Sequence, residues 1–256
     1  MKKAFLITML LFSIGIAAEI LESNSIADVF DHIEQESLVI FDLDNTIITS
    51  AQSLGGDAWF SAQMEDYLEN GLTNQEALAK VLPLWEALQH ISEVVPVEID
   101  TASFIKTLQS KDCSVIALTT RGYTMTNVTE SQLKSVEVDF SKDSPIVGEI
   151  FFNHKAGILF KDGIIFAQGV DKGSVLIKFL EITGIEPKHI IFIDDKLKQV
   201  KSVEKSCLEN NIPFTGIRYG HCDEAISNFS KEISDLQKAF YSPLLSDSKA
   251  RGMINS

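Results

Sequence analysis

The sequence predicts an α/β fold: a mostly parallel sheet with helices on both faces. Three observations carry this reading. Apolar runs of strand length occur at Ser37–Phe41, 114–118 and 189–193, and they are continuous rather than alternating, as strands covered on both faces are. Helical periodicity fills the stretches between them. Each run also ends on polar residues, Asp42, Thr119 and Asp194. In open α/β sheets ligands bind beyond the carboxyl ends of the strands, so this topology predicts that the three converge.

The elements follow in order. After the first strand, helical spacing appears in two pieces, 58–69 and 74–91, separated by Asn70 and Gly71. Thr73 and Glu76 stand at capping-box spacing at the start of the second piece. Pro83 inside it predicts a kink or a new start. A helix is expected over 101–110. Beyond the second strand the period shortens to β-rich runs at 147–152, 157–160 and 163–166, and Asp162-Gly163 marks a hairpin turn. Helices over 174–183, 197–210 and 223–240 and a strand over 213–217 complete the pattern. The polar tail 242–256 is expected to fray. The organisation expected is a signal peptide over 1–18, a core over 19–49 and 101–241, a helical cap insert over 50–100, and the tail.

The chain has 256 residues, 22 Lys plus Arg against 36 Asp plus Glu, and a net charge of −14. Hydrophobic residues at 45% and charged ones at 23% are ordinary for a globular protein and argue against global disorder. The acidic balance excludes general electrostatic binding of nucleic acid. It does not exclude a phosphorylated small molecule, because a metal supplies local positive charge. Lys2 and Lys3, an apolar run over 4–17, and Ala17-Ala18 before Glu19 read as a cleaved export signal. The run is shorter than the ~20 residues that span a bilayer, so no stable membrane insertion is expected after cleavage, and the destination is the periplasm or the medium. The alternative is an uncleaved anchor. Three cysteines are too few for a disulfide framework. Cys113 reads as core packing. Cys207 and Cys222 could pair in an oxidising compartment or remain free and buried, and spacing leaves both open.

The chemistry concentrates in the acids. Asp42 and Asp44 follow the first strand, and Asp194 and Asp195 end the third. Four carboxylates in one cleft repel unless a cation or bound protons compensate. A hard divalent ion held by oxygens, Mg²⁺, is the natural counter-charge. Lys172 is placed to neutralise a carboxylate and a phosphate, and Thr119, in competition with Thr120, to donate to a phosphate oxygen. Arg121 is left open between substrate contact and the sheet rim. Thr46 reads as a structural loop hydroxyl, and the scattered histidines as ordinary surface or packing residues. Trp59 and Trp85 read as packing between the helices of the insert, with an aromatic wall to the cleft as the sharper possibility.

These residues, in this order, resemble the haloacid dehalogenase superfamily. An apolar strand precedes Asp42-Leu43-Asp44-Asn45-Thr46, a second ends at Leu118-Thr119, Lys172 opens a helix, and a third strand ends in Ile193-Asp194-Asp195. The resemblance spans roughly residues 37–218 and implies a Rossmann-like core. It implies Asp42 as the nucleophile that forms an aspartyl-phosphate, and Asp44 as acid and then base. It also implies Mg²⁺ held by Asp42, the Asp44 carbonyl and Asp194, with Asp195 in support, and phosphoryl oxygens gripped by Thr119 and Lys172. An acid at position 44 implies a phosphatase or mutase, and export favours the phosphatase. The expected function is therefore an exported Mg²⁺-dependent phosphomonoesterase acting on a small phosphorylated substrate, similar in part to secreted acid phosphatases. A catalytically silent protein that binds a partner or host molecule, and a phosphotransferase to an acceptor other than water, are the alternatives.

Overall fold

The computed structural model describes residues 17–111, 113–240 and 246–254. All but the last two residues of the expected signal peptide lie outside them. Ten strands appear in chain order: β1 (Ala18–Ser23), β2 (Ser37–Phe41), β3 (Ile48–Ser50), β4 (Val94–Pro96), β5 (Cys113–Thr119), β6 (Glu149–His154), β7 (Ala156–Lys161), β8 (Ile164–Phe166), β9 (His189–Asp194) and β10 (Phe214–Tyr219). The α-helices are α1 (Asp57–Glu69), α2 (Asn74–Gln89), α3 (Thr101–Leu108), α4 (Thr126–Ser135), α5 (Lys172–Thr183), α6 (Leu197–Glu209), α7 (Asp223–Ser227), α8 (Lys231–Ala239) and α9 (Asp247–Ile254). None of the described helices is long and apolar enough to cross a membrane.

Eight strands form one sheet in the order β1-β10-β9-β2-β5-β8-β7-β6. The pairings from β1 through β8 are parallel, and β6, β7 and β8 form an antiparallel meander at one edge. The predicted α/β class is thus observed. Period-two alternation divides the core: Val39 and Phe41 face one apolar cluster with Ile105 and Leu108 of α3 and Leu133 of α4. Leu38 and Ile40 face the other, with Val175 and Phe179 of α5 and Val200 and Val203 of α6. Both faces of β2 are therefore buried, which is why its sequence shows no polar alternation.

Helices α1 and α2 lie between β3 and β4, which pair antiparallel through Ile48↔Pro96, Thr49↔Val95 and Ser50↔Val94. This two-stranded stem carries the chain into and out of the helical insert. The capping box holds: Glu76 N–H donates to Thr73 Oγ1 at 3.3 Å, and Thr73 N–H donates to Glu76 Oε2 at 2.9 Å. Pro83 marks no new helix start, and α2 runs through it. Trp59 is fully buried, and Phe60 and Trp85 meet edge to face at 6.2 Å, tying the two helices together.

Two expectations on secondary structure change. The helix expected over 223–240 is two helices, broken where Ser230 caps α8 by accepting from Ile233 N–H. Residues 247–254 form a helix rather than a frayed tail, because Asp247 has partners: Ser53 N–H and Oγ donate to it at 3.0 and 2.9 Å, and Gln237 Nε2 at 2.9 Å. Helix α4 and strand β1 had no clear sequence signal. Strand β1 adds to the edge of the sheet, with Phe214 N–H donating to Ala17 O at 3.0 Å.

Candidate active site

Strands β2, β5 and β9 are neighbours in parallel register, so the residues just past their carboxyl ends emerge side by side. Asp42 continues the ladder for one bond, its N–H donating to Ile193 O at 2.8 Å. Asp42, Asp194 and Asp195 then bring carboxylate oxygens within 4.8 Å of one another, all three residues buried. Beyond them the chain turns sharply at Asn45, whose φ of 60° is left-handed. Asn45 Nδ2 donates to Asp195 Oδ2 at 3.4 Å.

Lys172 opens α5, as its position in the sequence predicts, and Asp171 caps the helix by accepting from Ser174 N–H at 2.9 Å. The Lys172 side chain is 1% exposed, and Nζ donates to Asp42 Oδ1 and Asp194 Oδ2, both at 2.6 Å. The backbone N–H of Lys196 donates to Asp194 Oδ1 at 2.8 Å, and its Nζ reaches Asp57 of α1 at 3.0 Å. The electrostatics follow from this arrangement. Burial pushes the Asp42 carboxyl up to about 7, against the pull of Lys172. Burial, reinforced by Asp42, pushes Asp195 up to about 8. Burial pulls Lys172 down, but Asp194 and Asp42 outweigh it and hold the ammonium above its ordinary range.

Asp44 stands apart from the three clustered carboxylates. Arg121 grips it with Nε on Oδ2 at 2.9 Å and Nη2 on Oδ1 at 2.7 Å. Burial would raise Asp44, but the guanidinium wins and the carboxyl lies below its ordinary value. Arg121 is itself buried, and Nη1 donates to Thr129 Oγ1 at 3.0 Å and Gln132 Oε1 at 2.7 Å. Gln132 Nε2 donates to Gln89 O at 3.2 Å, and Gln89 Nε2 to Gly55 O at 2.8 Å, so a polar chain runs from Asp44 to the helical insert.

Thr119 is fully buried at the end of β5, its Oγ1 accepting from Arg121 N–H at 3.2 Å, while Thr120 lines the cleft. Asp42, Asp44, Lys172 and Asp194 form the floor of a cavity of about 420 Å³. Phe60, Leu78, Leu82 and Trp85 of the insert form its apolar wall. Lys196, Asn45 and Gln89 are participants that the sequence alone did not single out, and Arg121, which the sequence left open between substrate contact and the sheet rim, binds Asp44 instead. Arg121 and Lys196 directly follow strand-end residues, and that adjacency was their one available signal. Gln89 and Gln132 had none.

The donor set fits Mg²⁺. The ligands are hard oxygens from two strand ends, and Asp195 Oδ1 is buried with no hydrogen-bond partner among the described residues. The cysteines do not enter the site. All three are buried, and burial pushes Cys207 up to about 12 and Cys222 up to about 11, so neither of these two is a poised nucleophile.

Comparison with known proteins finds relatives that align over most of the chain. A Chlamydia muridarum protein named "Putative outer membrane protein" is 28% identical over 212 residues, 83% of this chain and 80% of the relative. An uncharacterised Rickettsia felis protein is 23% identical over 266 residues, 92% of this chain and 90% of the relative. Among solved structures, a phosphoserine phosphatase captured as a phospho-aspartyl intermediate analogue aligns at TM-score 0.40 and 15% identity, over 77% of this chain and 100% of that one. A class C acid phosphatase from Bacillus anthracis with tungstate bound aligns at 0.36 and 14%, over 84% and 82%. A family model described as "protein of unknown function (DUF2608)" matches residues 22–251, and the chain belongs to that family.

Proposed function

We propose that the chain is an exported Mg²⁺-dependent phosphomonoesterase acting through Asp42. The observation that carries this reading is the convergence of Asp42, Asp194 and Asp195 on one point, with Lys172 between two of them and Asp44 two residues beyond the first. Asp42, the Asp44 carbonyl and Asp194 are the proposed ligands of Mg²⁺, with Asp195 in support; the ion would supply Lewis-acid neutralisation of the phosphoryl charge.

The chain's own groups carry the steps. An Asp42 carboxylate oxygen attacks phosphorus and the phosphorus–oxygen bond to the leaving group breaks; Asp44, which must first take up a proton from solvent at a lone pair the Arg121 fork leaves open, gives that proton to the leaving oxygen to release an alcohol. Water then attacks the aspartyl-phosphate, Asp44 takes the water proton, and the bond to Asp42 breaks to release inorganic phosphate. Lys172 balances charge on Asp42 and the phosphoryl group throughout. The proposed hydroxyl donor to a phosphoryl oxygen is Thr119, whose Oγ1 accepts from Arg121 N–H and keeps its hydrogen free, or its rival Thr120, which lines the cavity where Thr119 is fully buried. The helical insert, proposed here to span residues 50–100 as a cap, covers the site from the opposite side and excludes water.

Export rests on the basic and apolar N-terminus, and the outer-membrane name of the Chlamydia relatives agrees with it. Two measurements test the reading. The first is hydrolysis of an aryl phosphate by the mature chain: undiminished turnover in Asp42→Asn, or full activity after chelation, overturns it. Tight Mg²⁺ binding without turnover across a broad ester panel would leave a silent binding protein instead. The second is the N-terminus of the exported protein, expected at Glu19.

A further inference from the structure

The cavity has two unlike ends. On its floor every cation is already engaged: Arg121 by Asp44, Lys172 by Asp42 and Asp194, and Lys196 by Asp57. On the insert side, no Lys, Arg or His among the described residues lines the cavity. That wall is the stripe of α2 at positions 78, 82, 85, 86 and 89, which recur at helical steps and share one face. Four of these are Leu78, Leu82, Trp85 and Gln89. The fifth is Glu86, half-buried and facing the cavity, and among the described residues no hydrogen bond or ion pair engages its carboxylate. Beside it stand two aromatic rings, Trp85 and Phe60, at 6.2 Å from one another. Trp85 already receives a cation, with the Arg121 guanidinium over its ring at 5.6 Å.

An unpaired carboxylate next to aromatic faces is a receptor for positive charge. The same wall penalises a second anion, which would meet Glu86 with no free cation to offset it. Building on the phosphatase reading, we propose that the substrate is the phosphomonoester of a small amino alcohol, whose cationic head is received by Glu86 against Trp85 and Phe60. The phosphate occupies the aspartate floor, the carbon linker crosses the apolar wall, and the ammonium rests at Glu86. The cavity volume of about 420 Å³ suits an ester of this size.

Two experiments test the assignment. In the first, the mature chain with Mg²⁺ is given phosphocholine, its uncharged carbon isostere dimethylbutyl phosphate, and phosphoglycolate. The expected order of kcat/KM is cationic, then neutral, then anionic. In Glu86→Gln the ratio of the cationic to the neutral ester is expected to fall about tenfold. An unmoved ratio, or a preference for the anion, overturns the proposal. In the second, choline is titrated calorimetrically into Asp42→Asn and into the Asp42→Asn, Glu86→Gln double variant. Binding to the first and its loss in the second is the expected result; no binding to the first overturns it. The two readings fail separately. Glu86-dependent choline binding without turnover of any ester leaves the amine subsite standing and removes the phosphatase. Turnover of aryl phosphate with no preference for the cation does the reverse.

Discussion

Arg121 holds Asp44 through two parallel hydrogen bonds, although 77 residues separate them. The fork uses both carboxylate oxygens of Asp44 and leaves Nη1 for Thr129 and Gln132. A planar guanidinium fits this arrangement and an ammonium does not. Arg121 is therefore a positioning residue for the proposed acid–base group. Arg121→Lys is expected to keep the charge, lose the fork and lower kcat about tenfold or more. Arg121→Ala is also expected to move the acidic limb of the kcat profile upward, because the guanidinium that holds Asp44 low is gone. A profile identical to wild type in Arg121→Ala contradicts the role.

Lys172 keeps two buried carboxylates apart by bonding to both. Lys172→Met leaves Asp42 and Asp194 facing one another without their shared cation. Removing one member of a buried ionic cluster typically costs about 3–5 kcal/mol. The variant should melt well below wild type in chelator and recover part of the difference as Mg²⁺ is added, a gain read by thermal melting. Equal melting with and without Mg²⁺ contradicts the picture of a compensated acidic cluster.

The raised carboxyls give a signed pH dependence. The ordinary value for Asp42 and Asp195 is 3.8, and the folded chain holds them at about 7 and about 8. Between those values the folded state binds protons that the unfolded state releases, so in chelator these two groups make stability fall as pH rises through the window. Asp44 acts in the opposite sense: its contribution is present above 3.8 and is lost as pH falls through its lower folded value. Asp195→Asn should flatten the slope between about pH 5 and about pH 8.

Metal binding displaces the same protons. Mg²⁺ affinity, measured by calorimetry, is expected to weaken from about pH 9 to about pH 6, with proton uptake or release visible as a dependence on buffer ionisation enthalpy. An affinity independent of pH would place the ion elsewhere than on Asp42 and Asp195.

The thiols should be silent. Cys113, Cys207 and Cys222 are buried. An aromatic disulfide reagent is expected to react slowly with the native chain and to titrate three thiols once it is unfolded. Rapid labelling of the native protein, or fewer than three thiols in denaturant without reductant, contradicts this.

Much of the fold is legible in the residue pattern because it is local. The unbroken apolar runs of β2, β5 and β9 declare strands buried on both faces, and Thr73 with Glu76 declares the start of α2. Where the pattern failed, a distant contact was responsible. Asp247 orders the C-terminal helix by bonding to Ser53, 194 residues away, which no local signal could show. Pro83 is accommodated within α2, where its sequence position argues for a break. Strand β1 gains its place from pairing with β10 and from packing Ile20 against the core.

The same division runs through the site. The sequence by itself determined that Asp42, Thr119 and Asp194 stand at the ends of three strands, because a parallel sheet places consecutive carboxyl ends along one edge. It also determined that Lys172 opens a helix, since the Asp171 cap and the following period are local. Only the tertiary structure decided how these groups are paired: Lys172 between Asp42 and Asp194, Arg121 on Asp44, and Glu86 turned into the cavity with no partner among the described residues. Pairing depends on side-chain directions brought together across tens of residues by packing, and linear spacing carries no record of that geometry.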